Sequence, residues 1–174
     1  VAVLERGHAI AFSFDDMLRY HGGISPGGVA HAFKVLERAL PLLEADGAPE
    51  RREIRIETAF GGPGARDAFE LATRAVTDDR YVIDPGLARP ELGRASERFV
   101  FRIAYRDRTV TLTVREGFVT EEFIDLARQE SRTADEEDKL DALKLEMADL
   151  VMASAAGDVY ELVANPGRNP AGPR

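Results

Sequence analysis

The sequence predicts a single α+β domain whose sheet is mixed but mostly antiparallel. Three observations lead there. Apolar residues recur at helical spacing in some segments and at every second position in others. The order of those segments is helix, strand, helix, three strands and then further helices, with no internal repeat and no linker between them. A chain of 174 residues is enough for one buried core and short for two. The domain is expected over residues 1–164, followed by a Pro/Gly-rich tail over 165–174 with the composition of a disordered end.

Each element has its own signal. Val1 to Phe14 alternates weakly, with Ile10, Phe12 and Phe14 on one face, and predicts a short strand or an extended lead-in. Ser13 with Asp16 resembles a capping box for a short helix through Met17, Leu18 and Tyr20, ended by Gly22-Gly23. Ser25 and Pro26 then open the clearest helix, since Ser suits the N-cap and Pro loses nothing in a first turn. Its apolar stripe is Val29, Phe33, Leu36, Leu40 and Leu43, and Asp46-Gly47-Ala48-Pro49 stops it. Glu53 to Ala59 alternates as a strand, with Ile54 and Ile56 on one side. Gly61-Gly62-Pro63-Gly64 breaks the strand, and a second helix is expected from Arg66 to about Val76.

Tyr81 to Ile83 predicts a short strand, and Asp84 to Arg98 a long surface loop. Phe99–Tyr105 and Thr109–Val114 alternate cleanly around Arg106-Asp107-Arg108, a hairpin. Thr120 caps a helix with Glu121 and Glu122 in its first turn, where carboxylates suit the helix dipole. A last helix runs from about Asp135 to Ala153, and Val159 to Val163 is a closing strand. The expected core comprises Val29, Phe33, Leu36, Leu40, Ile54, Ile56, Phe69, Val100 and Ile103.

Composition excludes several functions. With 23 Lys and Arg against 31 Asp and Glu, the net charge is −8, which argues against a nucleic-acid partner. The absence of cysteine rules out disulfides, thiolate zinc sites, iron–sulfur clusters and cysteine nucleophiles. No apolar run approaches a bilayer span, and the first ten residues lack the long apolar stretch of a signal peptide. The expectation is a soluble, cytoplasmic protein with no membrane partner.

Two glycine-rich turns feed helices and hold the candidate chemistry. Residues 21–28 deliver the His21 imidazole and the Ser25 hydroxyl to the start of the long helix. Residues 60–67 deliver Arg66 and Asp67 to the start of the next. A helix start offers unpaired N–H groups and a positive dipole end, so both turns suit an anion, and glycine lets it approach the backbone. Neither turn matches a dinucleotide fingerprint or a P-loop. Of the three histidines, His21 is the best placed for function, ahead of His8 and of His31, which lies off the main apolar stripe. Asp15 or Asp16, about a turn and a half earlier, is spaced to orient its ring. The acidic run 135–138 reads as a solvated first turn, and Arg89, Arg94 and Arg98 suit either an anion-gathering lid or a mobile surface loop with no ligand.

Tyr20-His21-Gly22-Gly23-Ile24-Ser25-Pro26-Gly27, leading into a long helix, resembles the opening H-G-H-x-C-P-G motif of the FmdE-like family of formylmethanofuran dehydrogenase subunits. Asp67-Ala68-Phe69-Glu70-Leu71-Ala72-Thr73-Arg74-Ala75-Val76 is similar to that family's D-A-[IV]-Q-x-x-T-G-C-T, and the resemblance extends from about Phe14 to Val163. The departures fall on the metal ligands. Gly23 stands for the family's second histidine, Ser25 for its first cysteine and Ala75 for its second, and the C-terminal zinc ribbon is absent. The resemblance therefore implies the fold, an α-β-α-β-β-β core, a pocket where the first helix turn meets the second helix, and a homodimer. The family's metal function is not implied, because the soft thiolate ligands are gone.

The leading functional expectation is a pocket for a small, anionic molecule, with His21 as general acid–base if the protein is an enzyme; the rival for His21 is a structural histidine hydrogen-bonded to a carboxylate, with no cavity beside it. Gly22, Gly23, Ser25, Thr73 and Arg74 are the expected ligand-binding residues. No cofactor or metal site is expected. A Ser25–His21 nucleophile ranks below this, because a capping serine uses its oxygen on backbone N–H groups. Two other readings compete: a non-catalytic accessory or interaction subunit that kept the fold and lost the metal chemistry, and a divalent-metal protein using His21 with carboxylates. Apolar residues on several faces of the last two helices add to the expectation of a homodimer.

Overall fold

The computed structural model describes residues 1–163, so the tail expected over 165–174 lies outside the described residues. The fold class is α+β, as the segment order predicts. The lead-in is more regular than its weak alternation suggests: β1 (Ala2–Glu5) and β2 (His8–Ala11) form an antiparallel ribbon of their own. Arg6 and Gly7 turn between them with φ of 52° and 80°, the pair of positive values that a two-residue hairpin needs. The Glu50 carboxylate accepts from both turn N–H groups, at 3.0 and 2.6 Å, which ties the ribbon to the body.

Helix α1 (Phe14–His21) begins with the expected capping box. Ser13 Oγ accepts from Asp16 N–H at 3.1 Å and the Asp16 carboxylate accepts from Ser13 N–H at 2.9 Å. Those Ser13 hydrogen bonds hold the Asp16 carboxyl below its usual range. Gly22, at φ 85°, ends the helix in the left-handed region. Helix α2 (Pro26–Leu43) follows with Pro26 in its first turn, and every residue of the expected stripe is buried. Ser25 holds the N-cap position, yet its side chain makes no capping hydrogen bond.

The main sheet has five strands in the order β4-β3-β5-β6-β7. β3 (Ile54–Thr58) is antiparallel to β5 (Val100–Tyr105), which pairs with β6 (Arg108–Val114), and β6 with β7 (Tyr160–Leu162). β4 (Tyr81–Ile83) is the exception and runs parallel to β3. That polarity requires a crossover, supplied by α3 (Pro63–Thr73). α3 starts before the expected Arg66, because Pro63 fills its first turn, and ends before Val76, because Arg74 turns left-handed at φ 56°. The remaining helices are α4 (Glu121–Ala127), capped by Thr120, α5 (Ala134–Ala153), capped by Thr133, and the short α6 (Ala156–Val159).

α2 is the centre of the helical layer, with α3 and α5 packed against it. All nine expected core residues are buried, and Ile56 pairs with Ile103 across the sheet. α5 looks apolar on several faces, but Leu140, Met147, Ala148 and Val151 turn inward, leaving Leu145 and Leu150 outside. Among the described residues no helix is long and apolar enough to cross a membrane.

Helix approach is set by missing side chains. A Cβ on Gly64 would clash with the Ser25 carbonyl oxygen and stand 3.1 Å from Val29 N, and one on Gly28 would lie 3.2 Å from Ala65 N. The amino ends of α2 and α3 therefore touch backbone to backbone. Gly64→Ala should lower the unfolding free energy by about 1–3 kcal/mol, the usual cost of overpacking. Gly47→Ala, in open space, should stay within about 0.5 kcal/mol of the parent in the same urea titration.

Candidate functional site

His21 closes α1 and points at both neighbouring helices. Its Nδ1 lies 2.8 Å from Asp67 Oδ2, and its Nε2 lies 3.1 Å from Ser25 N. The backbone N–H of Ser25 can only donate, so Nε2 carries the lone pair and Nδ1–H donates to Asp67. With both nitrogens engaged and the side chain only 6% exposed, the ring is a clamp between α1, α2 and α3. Its carboxylate partner is neither Asp15 nor Asp16. Asp16 is consumed by the Ser13 cap and by Arg19, 3.2 Å away. A Ser25–His21 nucleophile is not assembled in this arrangement, since Nε2 faces the Ser25 backbone and not its hydroxyl.

The other expected ligand-binding residues are dispersed. Gly22 and Gly23 are exposed, with φ of 85° and 82° and open space where a Cβ would stand, so they serve the turn. Thr73 and Arg74 lie at the opposite end of α3, about 10 Å along the axis from Asp67 at 1.5 Å per residue. The Thr73 hydroxyl is buried, donating to Phe69 O at 2.7 Å and accepting from Ala75 N–H at 3.2 Å. Arg74 sits 3.7 Å from Glu70, whose carboxylate accepts from Val76 N–H and Thr77. Burial alone would raise the Glu70 carboxyl, but hydrogen bonds from Thr77 and Val76, helped by Arg74, hold it below its usual range. This cluster finishes the helix. The structure does not bring Thr73 or Arg74 together with His21.

A cavity of about 410 Å³ does open beside the touching helix starts, on the other side of Ser25. One wall is backbone from Gly27 and Gly28 of α2 and from Gly61 to Gly64 at the start of α3. The rest of the lining is largely apolar, with Phe60, Phe99, Phe123, Ile124 and Leu140. Phe60 and Phe99 stack with centroids 4.2 Å apart. Neither helix start has a side-chain cap, so backbone N–H groups remain to be satisfied there. Arg98, Arg128 and Lys144 complete the lining, and no Asp or Glu belongs to it.

Of the expected site residues, only Ser25 lines this cavity. The residues that sequence reasoning missed are the aromatic wall and Lys144, which arrive from loop and helix segments far apart in the chain. One signal was available. Arg98 belongs to the arginines read as an anion-gathering lid, and it alone of the three reaches the wall. Arg89 is held by Glu91 at 3.5 Å and Arg94 by Asp125 at 2.6 Å.

His31 lies behind the cavity and is fully buried. It packs 4.8 Å from the Phe99 ring, and its Nδ1 lies 2.8 Å from the Tyr160 hydroxyl. Burial pushes its pKa down to about 3, against an opposing backbone contact from Phe118. His8 is exposed at the start of β2. Among the described residues no three His, Asp or Glu side chains converge as a metal site, so the reading of His21 as a divalent-metal ligand lacks partners beyond Asp67.

These contacts set two expectations. Removing the imidazole in His21→Ala strands the Asp67 carboxylate and the Ser25 N–H, and should destabilise the protein by about 1–3 kcal/mol in chemical denaturation. For His31 the unfolded chain takes up a proton below about pH 6.5, while the folded chain resists until about 3. Stability is therefore lost as pH falls through that window. His31→Gln should flatten the thermal-unfolding curve between about pH 6.5 and 4.5, above the range where carboxylates such as Glu70 begin to protonate; an unchanged slope would contradict the assignment.

No known family model matches the chain, and no curated protein is significantly similar to it in sequence.

Proposed function

We propose that this protein binds a small anionic molecule in the cavity between the starts of α2 and α3. The observation that carries the reading is the charge of the wall. In a chain with 31 acidic and 23 basic residues, the lining holds Arg98, Arg128 and Lys144 and no carboxylate. Two uncapped helix starts add partial positive charge on the same side. The volume of about 410 Å³ falls within the range of small-molecule sites. His21 enters this reading as a positioning residue: through Asp67 and the Ser25 N–H it fixes how the two helix starts meet. Ser25 and its neighbouring backbone are the contacts retained from the sequence-based site.

The resemblance to the FmdE-like family belongs to the same proposal, with the chain as a divergent relative. The order from α2 to β6, α-β-α-β-β-β, is the order that resemblance implies and supports it. A homodimer is the accompanying expectation, favoured by Leu145 and Leu150, which are 57% and 48% exposed on one helix.

The test is amide chemical-shift mapping with a panel of small carboxylates and phosphates. Shifts concentrated at Gly27, Gly28, Gly61, Gly62 and Gly64, and abolished by the cavity-filling variant Ala127→Trp, are the expected result. Shifts scattered over the surface, or indifferent to that variant, would refute the site. Light scattering at micromolar concentration addresses the dimer, and a mass of 19.1 kDa would end that part of the proposal.

A further inference from the structure

We infer that the ligand is a monocarboxylic acid with an apolar body, an inference that rests on the cavity being the binding site. The charge balance of the wall separates a monoanion from a polyanion. Arg128 is already neutralised by Glu97 at 3.1 Å, and Lys144 by Asp141 at 2.8 Å. Arg98 has no carboxylate partner among the described residues. The wall therefore presents one uncompensated cation. A carboxylate matches a single guanidinium and its fork of N–H donors, whereas a phosphate dianion brings twice the charge and finds no second unpaired cationic side chain in the lining.

The rest of the wall describes the rest of the molecule. Phe60, Phe99, Phe123, Ile124 and Leu140 offer no hydrogen-bonding side-chain atom, so a sugar or a polyol would lose its water contacts there without replacement. A hydrocarbon body gains by leaving water on the same surface, at about 25 cal/mol per Å² of apolar area buried. Arg98 is exposed, whereas Phe99 in the same lining is buried. A ligand lying along that wall places its carboxylate outward, at Arg98, and its apolar body inward.

Four probes test this by calorimetry and chemical-shift mapping on the intact chain: phenylacetate, phenylacetamide, acetate and phenyl phosphate. Phenylacetate should bind in the cavity at least about tenfold more tightly than its neutral amide, the ratio expected for one charge-assisted hydrogen-bonded contact. Acetate should be weaker than phenylacetate, and phenyl phosphate no tighter. Arg98→Gln should remove the preference for phenylacetate over phenylacetamide. Equal binding of acid and amide, or tighter binding of phenyl phosphate, with shifts still at Gly61, Gly62 and Gly64, would overturn the ligand class and leave the site standing. No shift at those glycines from any of the four would remove both.

Discussion

The structure depends on one close approach, the backbone contact between the amino ends of α2 and α3. Glycine at positions 28 and 64 permits it, since a Cβ at either would press on the facing helix. Two helix starts brought together set two positive dipole ends side by side, which is unfavourable unless negative charge lies nearby. Asp67 supplies such charge on one side, held in place by the His21 N–H. On the other side is the cavity, whose lining holds no carboxylate. The approach thus leaves two uncapped helix starts beside the cavity and, through His21, makes a helix-end residue part of the scaffold.

Local signals explain why much of the fold was legible. The α2 stripe, the capping box at Ser13, the Thr120 cap and the alternation of β5 and β6 act within a few residues, and the structure contains all of them. The first hairpin was not read because Arg-Gly turns it in place of the Asn-Gly or Asp-Gly that normally marks such a turn. The start of α3 was misplaced because Pro63 signals both a break and a first helical turn. The fold of the chain follows from patterns; its boundaries turn on residues with two meanings.

The site was less legible, because its contacts are distant in sequence. His21 pairs with a carboxylate 46 residues away, while the two nearby candidates were spacing alone. Arg74 falls near Asp67 on a helical wheel, yet it sits about two turns further along the axis at 3.6 residues per turn, and Thr73 faces away from Asp67. The arginines show the same limit. Arg89 and Arg94 pair with Glu91 and Asp125, whereas Arg98 lines the cavity. What distinguishes the three is the carboxylates within reach, which the spacing of arginines does not encode.

Net charge and site charge also answer different questions. At −8 the chain repels a long polyanion, which must meet much of the surface at once, and the composition argument against nucleic acid rests on that. A small anion samples only its immediate surroundings, because charges beyond about 8 Å are largely screened at physiological ionic strength. Within that radius the wall itself decides, and its acidic neighbours Glu97 and Asp141 are engaged in ion pairs with Arg128 and Lys144. Those pairs lower the cavity's charge without putting a carboxylate into its lining. An acidic protein can therefore leave one cation of a cavity lining unpaired, and which one it is depends on where its own carboxylates fall.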